Sequence, residues 1–370
     1  MFSDGRNGSD GVPLGSHDLH TTLGINRSTR PFGAVPGGGA RGLSRIAVVT
    51  GGSAGVGRAV VREFARHGAD VAILARGQER LDNAVREVEE AGRRALGLSV
   101  DVTDAEAVEA AAERIERELG PIDIWVNNAF AGIFSTFMDM SWEEYERVTA
   151  VTYFGQVHGT RAALKRMLPR DRGTIVLVGS ALAYRGIPLQ SAYCGAKHAL
   201  QGFLDSIRPE LEHQGSQVHV TMAQLPAVNT PQFDWARTHM GRKPRPVGKI
   251  YQPEVAARAI RFAAEARRKE VWVGATAVQA ILGDKLASPL LDHYLARTGV
   301  SGQASDEPVE AGRRDNLFDA PPGDPGAHGR FDRKAVDTSW QMSLNRKRNW
   351  ILAGGGLAAA LLLNGLRRGN

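Results

Sequence analysis

The chain has 370 residues, 42% of them hydrophobic, which is enough for one large α/β domain or two smaller ones and too much for a wholly disordered chain. Its single cysteine, Cys194, excludes an internal disulfide and leaves a cytoplasmic body as the plain expectation; no paired Cys and His spacing suggests a structural zinc site. The net charge of +6 lies in the tails, with five Arg against three Asp in residues 1–45 and five basic residues against no acidic one in 346–370. The near-neutral body therefore lacks the basic stripe that nucleic acid requires.

Residues 1–43 hold ten Gly, few large apolar side chains and no period of 2 or 3.6, so they do not offset the entropy of ordering and are expected to form a flexible, disordered arm. A secretory or mitochondrial address is the competing reading, and Asp4, Asp10, Asp18 and the lack of an apolar core segment count against it. From residue 44 to about 300 the pattern changes. Short apolar runs at 46–50, 70–75, 95–102, 122–129, 173–180, 217–225 and 270–274 alternate with stretches whose apolar residues lie three and four apart, such as Val108, Ala111, Ile115 and Leu119. Runs without alternation fit strands buried on both faces, and strands separated by helices require right-handed crossovers. The expectation is a single α/β domain: a Rossmann-like, doubly wound parallel sheet in a three-layer α/β/α sandwich.

The first run leads into Gly51-Gly52-Ser53-Ala54-Gly55-Val56-Gly57 and then an amphipathic stretch. Glycines there let the backbone N–H groups and a helix N-terminus approach a pyrophosphate with no Cβ in the way, so Gly51, Ser53, Ala54, Gly55, Val56 and Gly57 are candidate cofactor contacts. An ordinary tight turn is the alternative. Sites selective for NAD place an acid at the end of the second strand; here Ala75-Arg76-Gly77 stands instead. Arg76 is suited to a 2′-phosphate, so NADP(H) is favoured over NAD(H), the alternative being a solvated Arg. Asp101, with Val102 beside it, is placed to accept from an adenine amino group or else opens the next helix.

Tyr193 and Lys197 stand at i and i+4, one above the other on a helix face, and a fixed ammonium lowers a phenol's pKa toward working pH. Ser180 ends the fifth run, at the sheet edge where ligands bind in such folds. The order and spacing of TGGSAGVG, the Asn127-Asn128-Ala129 triplet, Ser180, Tyr193 and Lys197 resemble the short-chain dehydrogenase/reductase family over about residues 44–275. That resemblance implies an oxidoreductase in which Tyr193 donates a proton to a substrate carbonyl oxygen and Ser180 hydrogen-bonds that oxygen. Lys197 grips the nicotinamide ribose and tunes the phenol. It also implies a homodimer or tetramer.

Two departures stand out. Phe130 replaces the glycine that follows the family's Asn-Asn-Ala, so a ring reshapes the pocket floor; Asn127 is still expected beside the cofactor, with Asn128 and Ala129 in its contact set. Where the family carries an Asn completing a proton relay through water, this chain has Thr152, whose hydroxyl has fewer hydrogen-bonding atoms. Pro226, Val228 and Thr230 resemble the segment beside the nicotinamide amide, with an ordinary Pro turn as the alternative. Residues 231–248 lie at the family's substrate lid and carry Arg237, Arg242, Lys243 and Arg245, either to favour an acidic substrate or as solvated charge. His158, His198 and His213 lack carboxylate partners at triad or metal spacing.

Residues 301–345, polar and rich in Pro and Gly, read as a linker. Residues 346–370 form a basic-flanked hydrophobic tail, at the lower edge of what spans a ~30 Å hydrocarbon layer. A membrane-inserted tail is expected there, or else a helix packing on the protein or on a second subunit. The leading functional reading is an NADP(H)-dependent interconversion of a carbonyl and an alcohol on a hydrophobic small molecule. Its rival is a nucleotide-binding regulator or membrane-tethered scaffold that has lost turnover.

Overall fold

The computed structural model describes residues 44–348. Seven apolar runs become strands of one parallel sheet: β1 (Ile46–Thr50), β2 (Asp70–Ala75), β3 (Ala95–Ser99), β4 (Ile122–Asn127), β6 (Thr174–Ser180), β7 (His219–Leu225) and β10 (Glu270–Trp272). Their order is β10-β7-β6-β4-β1-β2-β3. Every residue of β1 and β2 is buried, which is why these runs show no alternation.

Helices cover both faces. On one side α1 (Gly55–Arg66), α2 (Gln78–Glu90) and α8 (Pro253–Glu265) bury Val60, Phe64, Leu81 and Ile260 against Val49 and Ile73. On the other, α3 (Ala105–Glu118), α5 (Gly155–Met167) and α6 (Ser191–His213) bury Ile115, Met167 and Leu200 against Val48 and Leu74. Each such side chain removed from water contributes about 1.5–3 kcal/mol. The helix starts follow from sequence: Asp104 accepts from the N–H groups of Glu106 and Ala107 at α3, and Ser141 with Glu144 forms a capping box at α4 (Trp142–Thr149). Because the chain leaves β1 for β2 on one side and returns to β4 on the other, the carboxyl ends of β1 and β4 part and open a crevice.

Smaller pairings gather the loops around that crevice. β5 (Ile133–Phe134) pairs with β8 (Arg237–Thr238), and β9 (Arg242–Pro244) pairs antiparallel with β11 (Ala304–Pro308); α7 (Gln232–Trp235) lies between β7 and β8, and α9 (Ala275–Thr298) follows the sheet.

Residues 301–345 depart from the expectation of a linker. Gln303 and Leu317 are fully buried, Ala327 and Met342 are nearly so, and β11 lies within the stretch. Its few apolar residues sit at anchor points, so polar, Pro-rich composition concealed a packed segment. The flexible arm expected at 1–43 lies outside the described residues, as do positions 349–370 of the expected tail. Among the described residues, no helix is long and apolar enough to cross a membrane.

Candidate active site

The crevice holds a cavity of about 540 Å³ running from the glycine turn after β1 to the ends of β6 and β7. The turn is too tight for side chains: a Cβ at Gly57 would lie 2.1 Å from the Gly51 carbonyl oxygen, and Gly51 itself has φ of +65°. Asn128 Nδ2 donates to the carbonyls of Thr50 and Gly51 at 3.0 and 3.2 Å, while Thr50 Oγ1 accepts from the N–H groups of Asn128 and Ala129. Asn128 therefore fixes the shape of the turn. The cradle of Gly51, Ser53, Ala54, Gly55, Val56 and Gly57 lines the cavity and fits the diphosphate of a dinucleotide.

At the inner end, β6 brings Ser180 and α6 brings Tyr193 and Lys197 into the same cavity. The Ser180 hydroxyl accepts from the Leu182 N–H at 3.1 Å and lies near enough to the Tyr193 hydroxyl to draw its pKa down. Lys197 Nζ donates to the Val178 carbonyl at 2.6 Å and lies 5.6 Å from the centre of the Tyr193 ring. Phe130 packs edge-on to Tyr193, with ring centres 5.8 Å apart, and forms part of the wall. Pro226, Val228 and Thr230 also line the cavity, with Thr230 against Gly55 of the glycine turn.

The electrostatics differ from the simple expectation of an acidified phenol. Burial pushes the Tyr193 phenol above the ordinary tyrosine range, and the nearby Ser180 hydroxyl pulls it back only in part. The same burial pushes Lys197 down to about 7. In the protein alone the low dielectric outweighs the helix-face proximity of the two groups, leaving Tyr193 a firmly protonated donor.

Two further expectations, for Thr152 and Asn127, are corrected. Thr152 is buried, and its hydroxyl both donates to the Ala131 carbonyl and accepts from the Ala131 N–H, at 2.9 and 3.0 Å. It pins the loop after β4 to a π-helical turn at Ala150–Phe154 instead of facing the cavity to hold a relay water. Asn127 turns away from the crevice, accepting from Trp125 Nε1 and donating to Thr160. Arg76 lines the cavity but is engaged: its guanidinium donates to the carbonyls of Asn316 at 2.7 Å and Phe318 at 2.5 Å.

Asp101 and Val102 line the same end, and Asp101 accepts from Arg147 at 2.5 Å and from Thr103. Of the cations of residues 231–248, Arg242 and Arg245 donate to the backbone carbonyls of Asp306 and Gly302, with Arg245 lining the cavity, while the other two are ion-paired. Arg237 binds Glu144 and Asp315, and Lys243 binds Glu307 and Glu310, so these charges fasten residues 301–315 and are not presented to the cavity as free cations. His158 and His198 face backbone carbonyls of Val102 and Cys194. The sequence reading missed Arg80, Asn316, Ala320 and Pro321, which also line the cavity. Only Leu317 and Phe318, an apolar pair inside a polar stretch, signal that this segment docks.

A doubly wound sheet with this crevice at its switch point is the scaffold of nicotinamide-dependent oxidoreductases. The chain belongs to the short chain dehydrogenase family, whose model matches residues 45–240, more than half its length. It is 34% identical over 278 residues to the uncharacterized oxidoreductase YxnA of Bacillus subtilis (strain 168), covering 75% of this chain and 78% of YxnA. It is 33% identical over 191 residues to the 3-dehydrosphinganine reductase of Danio rerio, covering 50% of this chain and 57% of that protein. Among solved structures, an alcohol dehydrogenase from the archaeon Thermococcus sibiricus complexed with 5-hydroxy-NADP is similar, with a TM-score of 0.55 and 26% identity over 62% of this chain and 96% of that one. The chain is accordingly an oxidoreductase of the alcohol–carbonyl couple that uses a nicotinamide dinucleotide.

Proposed function

We propose that the chain reduces a hydrophobic carbonyl compound, and oxidises the matching alcohol, with NADP(H), using Tyr193 as general acid/base. The observation that carries this reading is the meeting of Ser180, Tyr193 and Lys197 at the inner end of the cavity that begins at the glycine turn. The nicotinamide, when bound, supplies or takes up the hydride. Ser180 donates a hydrogen bond to the substrate oxygen, and Tyr193 gives that oxygen its proton as negative charge develops there. A phenol kept protonated by burial suits the reducing direction. Oxidation needs a phenolate, and Lys197 is the group whose ammonium would stabilise it. Lys197, in the cavity lining, would also hold the nicotinamide ribose.

The walls favour an apolar substrate: Phe130, Phe134, Leu182, Ile187, Phe233 and Val247 all face the cavity. For the cofactor, Arg76 and Arg80 line the adenosine end, no acid stands at residues 75–77, and the nearby Asp101 is already held by Arg147. That balance of charge supports NADP(H) over NAD(H). A homodimer or tetramer through the helices of the fourth and fifth crossovers, α5 and α6, belongs to the same reading, and Phe154, just before α5, is exposed. Membrane tethering by residues 346–370 rests on sequence alone, and loss of the protein from the membrane fraction on deleting them is its test.

The direct experiment is turnover on a panel of ketones and alcohols with NADPH and NADH in parallel. The reading expects NADPH-dependent reduction of hydrophobic ketones. A strong NADH preference would overturn the argument from Arg76, and no turnover with either nucleotide would favour the regulator reading.

A further inference from the structure

Residues 316–326 run along the outer wall of the cavity's adenosine end, with Asn316, Ala320 and Pro321 facing the same space as the glycine turn. The two ends of this stretch are held by burial. Leu317 is fully buried among side chains beneath the sheet, and Ala327 is buried among those above it. Just beyond Ala327 the chain is fixed again, by Asn229 accepting from the Phe331 N–H at 3.0 Å and donating to Asp332 at 2.7 Å.

Between these anchors the ties to the crevice are polar. Arg76 donates to the carbonyls of Asn316 and Phe318, Arg80 to that of Pro321, and the Gly55 N–H to that of Gly326 at 3.0 Å. Asp324 accepts from Arg58 at 3.3 Å and Asn83 at 2.8 Å, and Glu79 accepts from the Gly323 N–H at 3.1 Å. Gly55, Arg76 and Arg80 are donors, the chemistry that phosphate oxygens require, and carbonyl oxygens of the stretch now take them. Gly323 and Gly326 both have positive φ, so the span bends where side chains would resist it.

We propose that residues 316–326 are a strap that gates dinucleotide exchange: closed, its carbonyls sit on Gly55, Arg76 and Arg80, and opening hands those donors to the phosphates of an entering dinucleotide. This rests on the proposed reading of the crevice as a dinucleotide site. A carbonyl-to-phosphate exchange keeps every donor satisfied in both positions, so neither state leaves a buried N–H without a partner. Asp324 is the latch and a positioning residue, touching neither the reacting atoms nor the cavity. Its removal leaves Arg58 paired, because Arg58 also donates to Glu87 at 2.7 Å and to the carbonyls of Ser53 and Arg80.

The test is stopped-flow binding and release of NADPH by the full chain, its Asp324→Ala variant and, as a milder second change at a half-buried position, Asn83→Ala. A gate predicts that Asp324→Ala raises the association rate and tightens Kd, each by about tenfold, with the dissociation rate moving little, and that Asn83→Ala moves the association rate in the same direction. A segment that merely shapes the wall would raise only the dissociation rate and weaken binding. That result, or unchanged rates, overturns the gate while leaving the site itself intact. If the parent chain bound neither NADPH nor NADH, the dinucleotide reading would fall and the gate with it.

Discussion

Lys197 is almost fully buried, and among the described residues its one hydrogen bond is to a neutral carbonyl. Burial lowers its pKa from 10.5 to about 7. Between those values the unfolded chain binds a proton that the folded chain does not, so the Lys197 contribution makes the folded state more stable as pH rises from 7 toward 10.5. Lys197→Met should remove that rise. Denaturant unfolding of parent and variant at pH 7 and pH 9 reads the difference, and parallel behaviour of the two proteins would refute it.

Ser180, Tyr193, Lys197 and the glycine turn were legible in sequence because their chemistry depends on spacing within one strand or one helix. The phenol's raised pKa was not, since burial is a property of the assembled core. Thr152, Asn127 and Arg76 escaped for a related reason: their partners, Ala131, Thr160 and the carbonyls of 316–318, come from other segments that local patterns do not pair with them.

At the scale of elements, the parallel strands stood out because full burial of both faces writes an unbroken apolar run. The C-terminal stretch writes no such signal. Its position depends on Leu317 at one end, on the Asn229, Gln252 and Asp332 cluster at the other, and on ion pairs that look like ordinary surface charge. Leu317→Ala should therefore behave as a core truncation, costing about 2–5 kcal/mol in urea unfolding, although the residue lies in a stretch composed like a linker. A cost near zero would mean that 301–345 contributes little to the folded body.

For the whole molecule, one sheet and two helical layers place the carboxyl ends of β1 and β4 apart, and everything chemical follows from what lines that gap. The glycine turn lies at one end, Ser180, Tyr193 and Lys197 at the other, and a C-terminal stretch closes the side. The lid cations, fastened to Asp315, Glu307 and Glu310, join this stretch to the substrate side, so both ends of the crevice share one boundary.

The central claim is that a single phenolic proton completes the reduction. Single-turnover kinetics of Tyr193→Phe with NADPH and a reducible ketone measures it: binding of NADPH should persist near the parent affinity while hydride transfer slows by roughly 10²–10⁴-fold. Transfer at the parent rate would contradict the account, because the proton would then be coming from somewhere other than Tyr193.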